Sequence, residues 1–425
     1  MALYTIFSII ILLTALVAYT NHLYIKLQTT IAIMMASSIL ALLLIVSGRL
    51  QLISFNETML APIRNLDFHT LLMKGMLSFL LFAGAMSVNV HELRRYKWEV
   101  MTLASVSTIT SCFLIGGVFY VLLNAMQLPI DFLHCLLFGA LISPTDPIAV
   151  LATFKKLKAP KNLHAIVAGE SLFNDGVGVV LFLTIYHLIY AGDVTTSETV
   201  LLFIRQTFGG IAYGTFLGML CRQMLKPVQD HNVKILLTLA LVTAGYLLAF
   251  TLDISGPLAM VMAGLIIGHH SKRQAYAHPK MYDFWEIIDE LLNAVLFFLI
   301  GVELVMVHIS MREFVAALLA IPLVLIIRAL TVSLPMQCFK QLKSYAPYIN
   351  TLLTWGGLRG GLAIALAVSI PQGPASDLIL SLTFAVVIFS IMVQGLSTGR
   401  LVKRSKQASH DACTINPSSS IGGTT

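Results

Sequence analysis

The sequence predicts an all-α membrane protein of about thirteen transmembrane helices, of which the fifth and the twelfth are broken. Of its 425 residues, 57% are hydrophobic and only 11% are charged, whereas soluble domains carry about 25% charged residues. The apolar residues fall in blocks of about 18 to 25, the length of helix that crosses roughly 30 Å of hydrocarbon. The fifth block contains two prolines next to polar residues, and the twelfth contains four glycines around an arginine.

The thirteen apolar blocks can be placed along the chain to within a few residues. They cover residues 2–20, 28–47, 69–90, 99–126, 132–154, 162–191, 199–224, 233–252, 256–271, 287–307, 313–337, 347–370 and 374–399. No basic residue precedes the first block and no small-residue cleavage site follows it, so we expect a retained helix rather than a signal peptide.

The basic residues predict how the chain is oriented. With the N-terminus outside, the inside loops and the C-terminal segment hold 20 Lys or Arg residues and the outside loops hold 3. Because cytoplasmic loops carry such an excess, we expect a multi-pass protein of the cell (inner) membrane with a cytoplasmic C-terminus. The net charge of +7 is spread over short loops, which argues against nucleic acid as a partner. Residues 1–400 are expected to form the transmembrane domain, and residues 401–425 a short, disordered tail.

The sixth block contains the strongest candidate for an ion site. Ser171, Asn174 and Asp175 stand at i, i+3 and i+4 and therefore share one helix face. Their hydroxyl, amide and carboxylate oxygens suit a hard cation, and the carboxylate can hold a proton instead. A polar cluster that only packs helices together is the alternative. It explains the aspartate poorly, because a charge inside the membrane costs about 2.5–3.5 kcal/mol.

The fifth block is interrupted by Ser143-Pro144-Thr145-Asp146-Pro147. The two prolines remove backbone donors, and non-helical backbone at membrane depth is tolerated only inside protein or beside a water-filled cavity. Thr145 can then offer oxygen to a cation, and Asp146 can offset the positive end of the following half-helix. A simple proline kink is the alternative.

The twelfth block is interrupted by Gly356-Gly357-Leu358-Arg359-Gly360-Gly361, where four glycines disfavour a continuous helix. Interrupted segments at corresponding places in two halves, helices 1–6 and 8–13, indicate an inverted repeat with a transport site near the midplane. Glu170 lies about 140° around the helix from Asp175 and needs a basic partner. Arg359 is the natural candidate, since a buried ion pair can fix helix arrangement.

These three motifs together resemble those of NhaP-type sodium/proton antiporters, in the monovalent cation:proton antiporter superfamily. The resemblance covers nearly the whole chain in motif order, spacing and helix count. It implies a homodimer with an inverted-repeat fold whose broken helices 5 and 12 cross near the midplane. It also implies that Asp175 binds cation and proton in competition, that Ser171 and Thr145 supply further oxygens to Na⁺, and that Asn174 stabilises the site.

The resemblance further implies a structural ion pair between Glu170 and Arg359, and exchange of one Na⁺ or Li⁺ for one proton by alternating access. Such an antiporter serves pH homeostasis and needs neither a cofactor nor an enzymatic site. Many prokaryotic members carry a glutamate in the third helix, where this chain has Ala83. Cation affinity, ion choice or pH dependence is therefore expected to differ here.

Other functions fit parts of the pattern. K⁺/H⁺ antiport in the same fold stays open, because the sequence does not measure the size of the site. A cation channel could use broken helices and an acidic residue, but the chain shows no selectivity-filter loop or arginine run. An intramembrane enzyme is disfavoured, because His134, His164 and His187 do not form a metal-binding spacing.

A second acidic group lies at the inner end of the tenth block. It consists of Asp283, Glu286, Asp289 and Glu290, near His269 and His270. Such a patch could respond to pH, although a solvated loop and helix start explains the same residues.

Overall fold

The computed structural model describes residues 2–49, 70–128, 130–190, 196–273, 279–303, 310–343 and 345–415. The regular elements of this part are all helical, as the sequence predicts. In chain order they are α1 (Ala2–Thr20), α2 (Thr29–Arg49), α3 (Leu77–Ser87), α4 (Val90–Arg95), α5 (Lys97–Met101), α6 (Thr108–Ala125), α7 (Phe132–Ile142), α8 (Ile148–Leu157), α9 (Lys161–Tyr190), α10 (Thr196–Leu225), α11 (His231–Thr251), α12 (Gly256–Arg273), α13 (Pro279–Glu303), α14 (Met311–Leu342), α15 (Ile349–Trp355), α16 (Gly361–Val368), α17 (Pro374–Phe389) and α18 (Leu396–Ile415).

Several of the long apolar segments contain a π-helical stretch that continues a helix without a loop. Asn21–Ile25 extends α1, Leu71–Met76 precedes α3, Thr102–Ser107 joins α5 to α6, and Ser390–Gly395 joins α17 to α18. Each predicted apolar block overlaps at least one helix. Within the described ranges, seven helical segments are long and apolar enough to span a membrane by length and composition. The number of crossings, about thirteen, stays a prediction.

The C-terminal helix extends beyond the predicted domain boundary at residue 400. Because α18 continues to Ile415, the expectation of a disordered tail is wrong for residues 401–415, and residues 416–425 lie outside the described ranges. Ser405 Oγ donates to the Pro347 carbonyl at 2.7 Å, and Lys406 Nζ donates to the Leu157 carbonyl at 3.0 Å. The second bond places a cation on the last carbonyls of α8, where the helix dipole favours it.

The fifth and twelfth blocks are interrupted as the sequence predicts. Five residues separate Ile142 of α7 from Ile148 of α8, and five separate Trp355 of α15 from Gly361 of α16. The two interruptions lie against each other in an isolated antiparallel bridge, in which the Asp146 amide donates to the Leu358 carbonyl at 2.7 Å. A simple proline kink would not pair with a second broken segment. The internal inverted symmetry stays a prediction.

Two apolar clusters hold the helices together. The larger cluster surrounds the interruptions and draws on α6 to α9 and α14 to α17, while the smaller one draws on α3, α12 and the start of α13. Helices α9 and α13 contribute to both clusters. We call the border between them the seam; α9 and α13 lie along it, since each contributes side chains to both clusters.

The packing of α6 on α7 predicts an effect on stability. An added Cβ at Gly139 would lie 2.3 Å from the Cys112 carbonyl oxygen, and overpacking of this kind typically costs about 1–3 kcal/mol. Gly139→Ala should therefore lower the thermal unfolding midpoint measured in detergent. Gly117→Ala is the matched control, since nothing lies within 4 Å of its added Cβ and alanine is the better helix former. Equal midpoints in the two variants would disprove the close approach.

Candidate functional site

Asp146 lies between the positive ends of two half-helices. Its Oδ1 accepts a hydrogen bond of 2.9 Å from the Ile148 amide at the start of α8. Its Oδ2 lies beside Gly360, just before α16, where an added Cβ would come within 2.0 Å of that oxygen. Because helix N-termini carry partial positive charge, one carboxylate can offset both ends. Gly360 leaves the space that this carboxylate occupies.

Two buried arginines serve the opposite, negative ends of the broken helices. Arg359 Nη1 donates to the carbonyl oxygens of Ser143 and Pro144, just past the end of α7, the second at 2.8 Å. Arg328 Nη2 donates to the Leu353 carbonyl in the last turn of α15 at 3.3 Å. Both arginines are 3% exposed. Each guanidinium therefore satisfies carbonyl groups that lost their helical partners, at the helix ends where cations are favoured.

The partner of Glu170 differs from the predicted one. Its Oε1 lies 2.5 Å from Nη1 of Arg328, and both side chains are buried. The predicted pair with Arg359 is therefore wrong, because the Arg359 guanidinium is bound to the carbonyl oxygens of the fifth-helix interruption. Arg359 stays within electrostatic range of both members of the observed pair. One signal for Arg328 was its charge in the middle of an apolar block, which itself requires an acidic partner.

Thr145, Ser171 and Asn174 form a hydrogen-bonded network between the fifth-helix interruption and α9. The hydroxyl oxygens of Thr145 and Ser171 are 3.0 Å apart, and Asn174 Nδ2 donates to Thr145 Oγ1 at 2.9 Å. The Thr145 amide donates to Asn174 Oδ1 at 3.4 Å. All three side chains are at most 2% exposed. A cation that uses the Thr145 or Ser171 oxygens must therefore replace part of this network.

Asp175 lies next to the network and takes no part in it. No hydrogen bond or ion pair engages its carboxylate within the described part of the chain, and its side chain is half-buried. The Asp146 carboxylate is within electrostatic range. Its neighbour Gly176 packs on α12 so closely that an added Cβ would lie 2.3 Å from Leu258. The carboxylate is thus free to take up a proton or a cation without first losing a protein partner.

The third-helix position offers no oxygen ligand. Ala83 is 4% exposed and packs in the smaller apolar cluster. Within the described residues, no group of three or more His, Cys, Asp or Glu side chains could hold a metal ion.

The observed ion pair predicts that Glu170 is energetically coupled to Arg328 more strongly than to Arg359. Glu170→Gln or Arg328→Gln alone leaves one buried charge unpaired, at a cost of about 3–5 kcal/mol. The double variant should lose less stability than the two single variants together. The measurement is a double-mutant cycle of apparent unfolding midpoints in detergent, with a second cycle between Glu170 and Arg359 as the control. A larger coupling in the control cycle would reinstate the pair predicted from the sequence.

Comparison with known proteins gives a consistent assignment. Residues 10–404 match the family model described as sodium/hydrogen exchanger, transmembrane. The chain is 44% identical over 402 residues to the Na(+)/H(+) antiporter NhaP of Pseudomonas aeruginosa, which covers 93% of this chain and 95% of that relative. It is 33% identical over 345 residues to the Na(+)/H(+) antiporter NhaH of Halobacillus dabanensis, covering 79% and 83%.

The fold is similar to that of a solved structure, the sodium proton antiporter MjNhaP1 from Methanocaldococcus jannaschii. The TM-score is 0.76 at 20% sequence identity, over 95% of this chain and 99% of that one. The family consists of membrane transporters, which agrees with the expectation that the chain is not an enzyme. The interrupted, paired helices and the family match over nearly the whole length lead to one assignment: this integral membrane protein belongs to the sodium/hydrogen exchanger family.

Proposed function

We propose that the chain is a secondary active antiporter that exchanges Na⁺ or Li⁺ for H⁺ by alternating access. The observation that carries the proposal is the half-buried carboxylate of Asp175, which has no hydrogen bond or ion pair within the described ranges. Relatives named as Na(+)/H(+) antiporters, among them one that is 44% identical, support the same exchange.

Asp175 is proposed to bind cation and proton in competition. When deprotonated, its carboxylate attracts the cation, and Ser171 and Thr145 add hydroxyl oxygens once their mutual hydrogen bond is exchanged for contacts to the ion. Asn174 holds Thr145 in place through its amide. When a proton occupies Asp175 instead, the carboxyl is neutral and the cation loses its only charged ligand in this set. Uptake of one ion therefore requires release of the other.

The other charged groups near Asp175 are proposed to stay occupied throughout the cycle. Asp146 and Arg359 compensate the ends of the broken helices, and Glu170 is held by Arg328. With one exchangeable carboxylate, the loaded and the protonated site carry the same net charge. Exchange of one cation for one proton is then electroneutral, and an inward proton gradient drives cation export and pH homeostasis.

Alternating access is proposed to occur by movement along the seam, because the two apolar clusters meet there and α9, the helix of Asp175, contributes to both. We further propose a homodimer in the cell membrane, with the N-terminus outside and the C-terminus in the cytoplasm. The excess of basic residues in alternate loops supports this orientation. The homodimer rests on the resemblance alone.

Asp175→Asn is expected to abolish exchange while the protein still folds and inserts. The amide has nearly the same shape, but it neither releases a proton nor offers a negative charge to the cation. The measurement is dequenching of a pH dye in everted vesicles energised by respiration, with Na⁺, Li⁺ and K⁺ added separately. The matched control is Asp131→Asn, which changes an aspartate whose side chain is 89% exposed, and this variant should exchange like the wild type.

Exchange that persists in Asp175→Asn would remove Asp175 from the carrier role. Dequenching by K⁺ alone in the wild type would replace the proposal by K⁺/H⁺ antiport in the same fold. Single-channel currents without saturable, proton-coupled flux would favour the cation channel.

Electroneutral exchange also predicts independence from the membrane potential. In proteoliposomes whose potential is set by K⁺ and valinomycin, the initial rate of Na⁺-driven proton movement should be the same at zero and at strongly negative potential. The reason is that one positive charge leaves the site for each one that enters. A rate that rises steeply with potential would require a second exchangeable proton and would exclude the 1:1 ratio.

A further inference from the structure

We propose that Asp289 and Asn293 of α13 form a staging site, at which a monovalent cation binds before it reaches Asp175. The proposal rests on the exchange activity proposed above and adds a second binding position on the path of the ion. It concerns a side-chain pair on α13, a helix that, like α9, contributes to both apolar clusters.

The pair offers an oxygen that has no protein partner. Asn293 is 2% exposed, and its Nδ2 donates to Asp289 Oδ1 at 3.0 Å. Its own Oδ1 is buried and has no hydrogen-bond partner among the described residues. A buried acceptor left without a donor is unfavourable. A cation bound between this oxygen and the half-buried Asp289 carboxylate would supply the missing interaction.

The pair lies on the face of α13 that meets the helix crossing. Residues four apart share a helix face, and the same face continues to Leu296 and Ile300. These two side chains pack against the start of α16, where an added Cβ on Gly361 would lie 2.7 and 2.8 Å from them. The Asp289 carboxylate is within electrostatic range of Asp146. The pair is therefore separated from the crossing by about one helical turn.

The pair lies between an exposed contact of α8 with α13 and the crossing. At this contact, Lys155 Nζ and Glu286 Oε1 approach to 3.5 Å, and both side chains are largely exposed. Lys155 lies in the last turn of α8, about 10 Å along the helix from its first residue, Ile148, at 1.5 Å per residue. On the facing helix, Asp289 and Asn293 lie between Glu286 and the crossing. A cation that approaches the crossing from this exposed end would therefore meet the pair first.

The chemistry of the pair suits a transient stop. One carboxylate and one amide oxygen are hard ligands for a monovalent cation. With the remaining ligands supplied by water, binding is weak enough for the ion to move on, as multi-site conduction requires. The predicted orientation of the chain places this exposed end on the cytoplasmic side.

The test is the Na⁺ dependence of exchange in everted vesicles, for the wild type and for Asp289→Asn, Asn293→Ala and Asp289→Glu. Asp289→Asn should raise the KM for Na⁺ about tenfold, which corresponds to about 1.4 kcal/mol. The rate at saturating Na⁺ should stay within about twofold of the wild type, because a saturating Na⁺ concentration fills the binding positions despite the weaker affinity. Asn293→Ala should raise KM in the same direction, and Asp289→Glu should restore it.

Glu290→Gln is the matched control, because it removes an exposed carboxylate from the next position of the same helix. Its KM should stay near the wild-type value. An equal rise of KM in Glu290→Gln and Asp289→Asn would reduce the effect to surface charge, and an unchanged KM with a lower saturating rate would reduce it to a structural role. Either result overturns the staging site alone. Wild-type vesicles without Na⁺-driven exchange would overturn the proposed function, and the staging site with it.

Discussion

The crossing of two interrupted helices is the constraint on which the site depends. Each interruption leaves backbone donors and acceptors without helical partners at membrane depth, where each unsatisfied group costs several kcal/mol. The Asp146 amide and the Leu358 carbonyl pair across the crossing. Arg359 donates to the carbonyl oxygens of Ser143 and Pro144, and the Asp146 carboxylate accepts a hydrogen bond from the Ile148 amide at the start of α8. The side chains of Arg359 and Asp146 therefore replace helical hydrogen bonds that the interruptions remove.

The polar residues near the crossing fall into two groups: those that are bound to other protein groups, and Asp175, whose carboxylate remains available for a cation or a proton. Glu170 is bound by Arg328, and Asn174 and Ser171 are bound to Thr145. Within the described ranges the Asp175 carboxylate has no hydrogen bond or ion pair, and it lies on a helix that contributes to both apolar clusters. An electrically compensated crossing beside one carboxylate without a protein partner in the described ranges is a suitable arrangement for exchanging one cation against one proton.

The sequence predicted the interruptions, because prolines at 144 and 147 and glycines at 356, 357, 360 and 361 leave few other conformations. It could also group Ser171, Asn174 and Asp175, since helical spacing determines which residues share a face. It could not choose between Arg328 and Arg359 as the partner of Glu170, because that choice depends on how α14 is rotated against α9. Helical spacing also placed Asp175 on the same face as Ser171 and Asn174, but it could not show that only the latter two hydrogen-bond to Thr145. The helix over residues 401–415 was missed because its polar composition resembles that of a disordered tail, and its contacts to Pro347 and Leu157 are distant in sequence.

The central claim is that one carboxylate carries cation and proton in turn, and calorimetry of the purified protein tests it most directly. Na⁺ binding should be titrated at one pH in two buffers that differ in ionisation enthalpy, so that the number of protons released per bound ion can be calculated. At a pH where Asp175 is protonated in the absence of Na⁺, the account predicts close to one proton released per Na⁺, and no release with Asp175→Asn. Na⁺ binding to the wild type without proton release would contradict it.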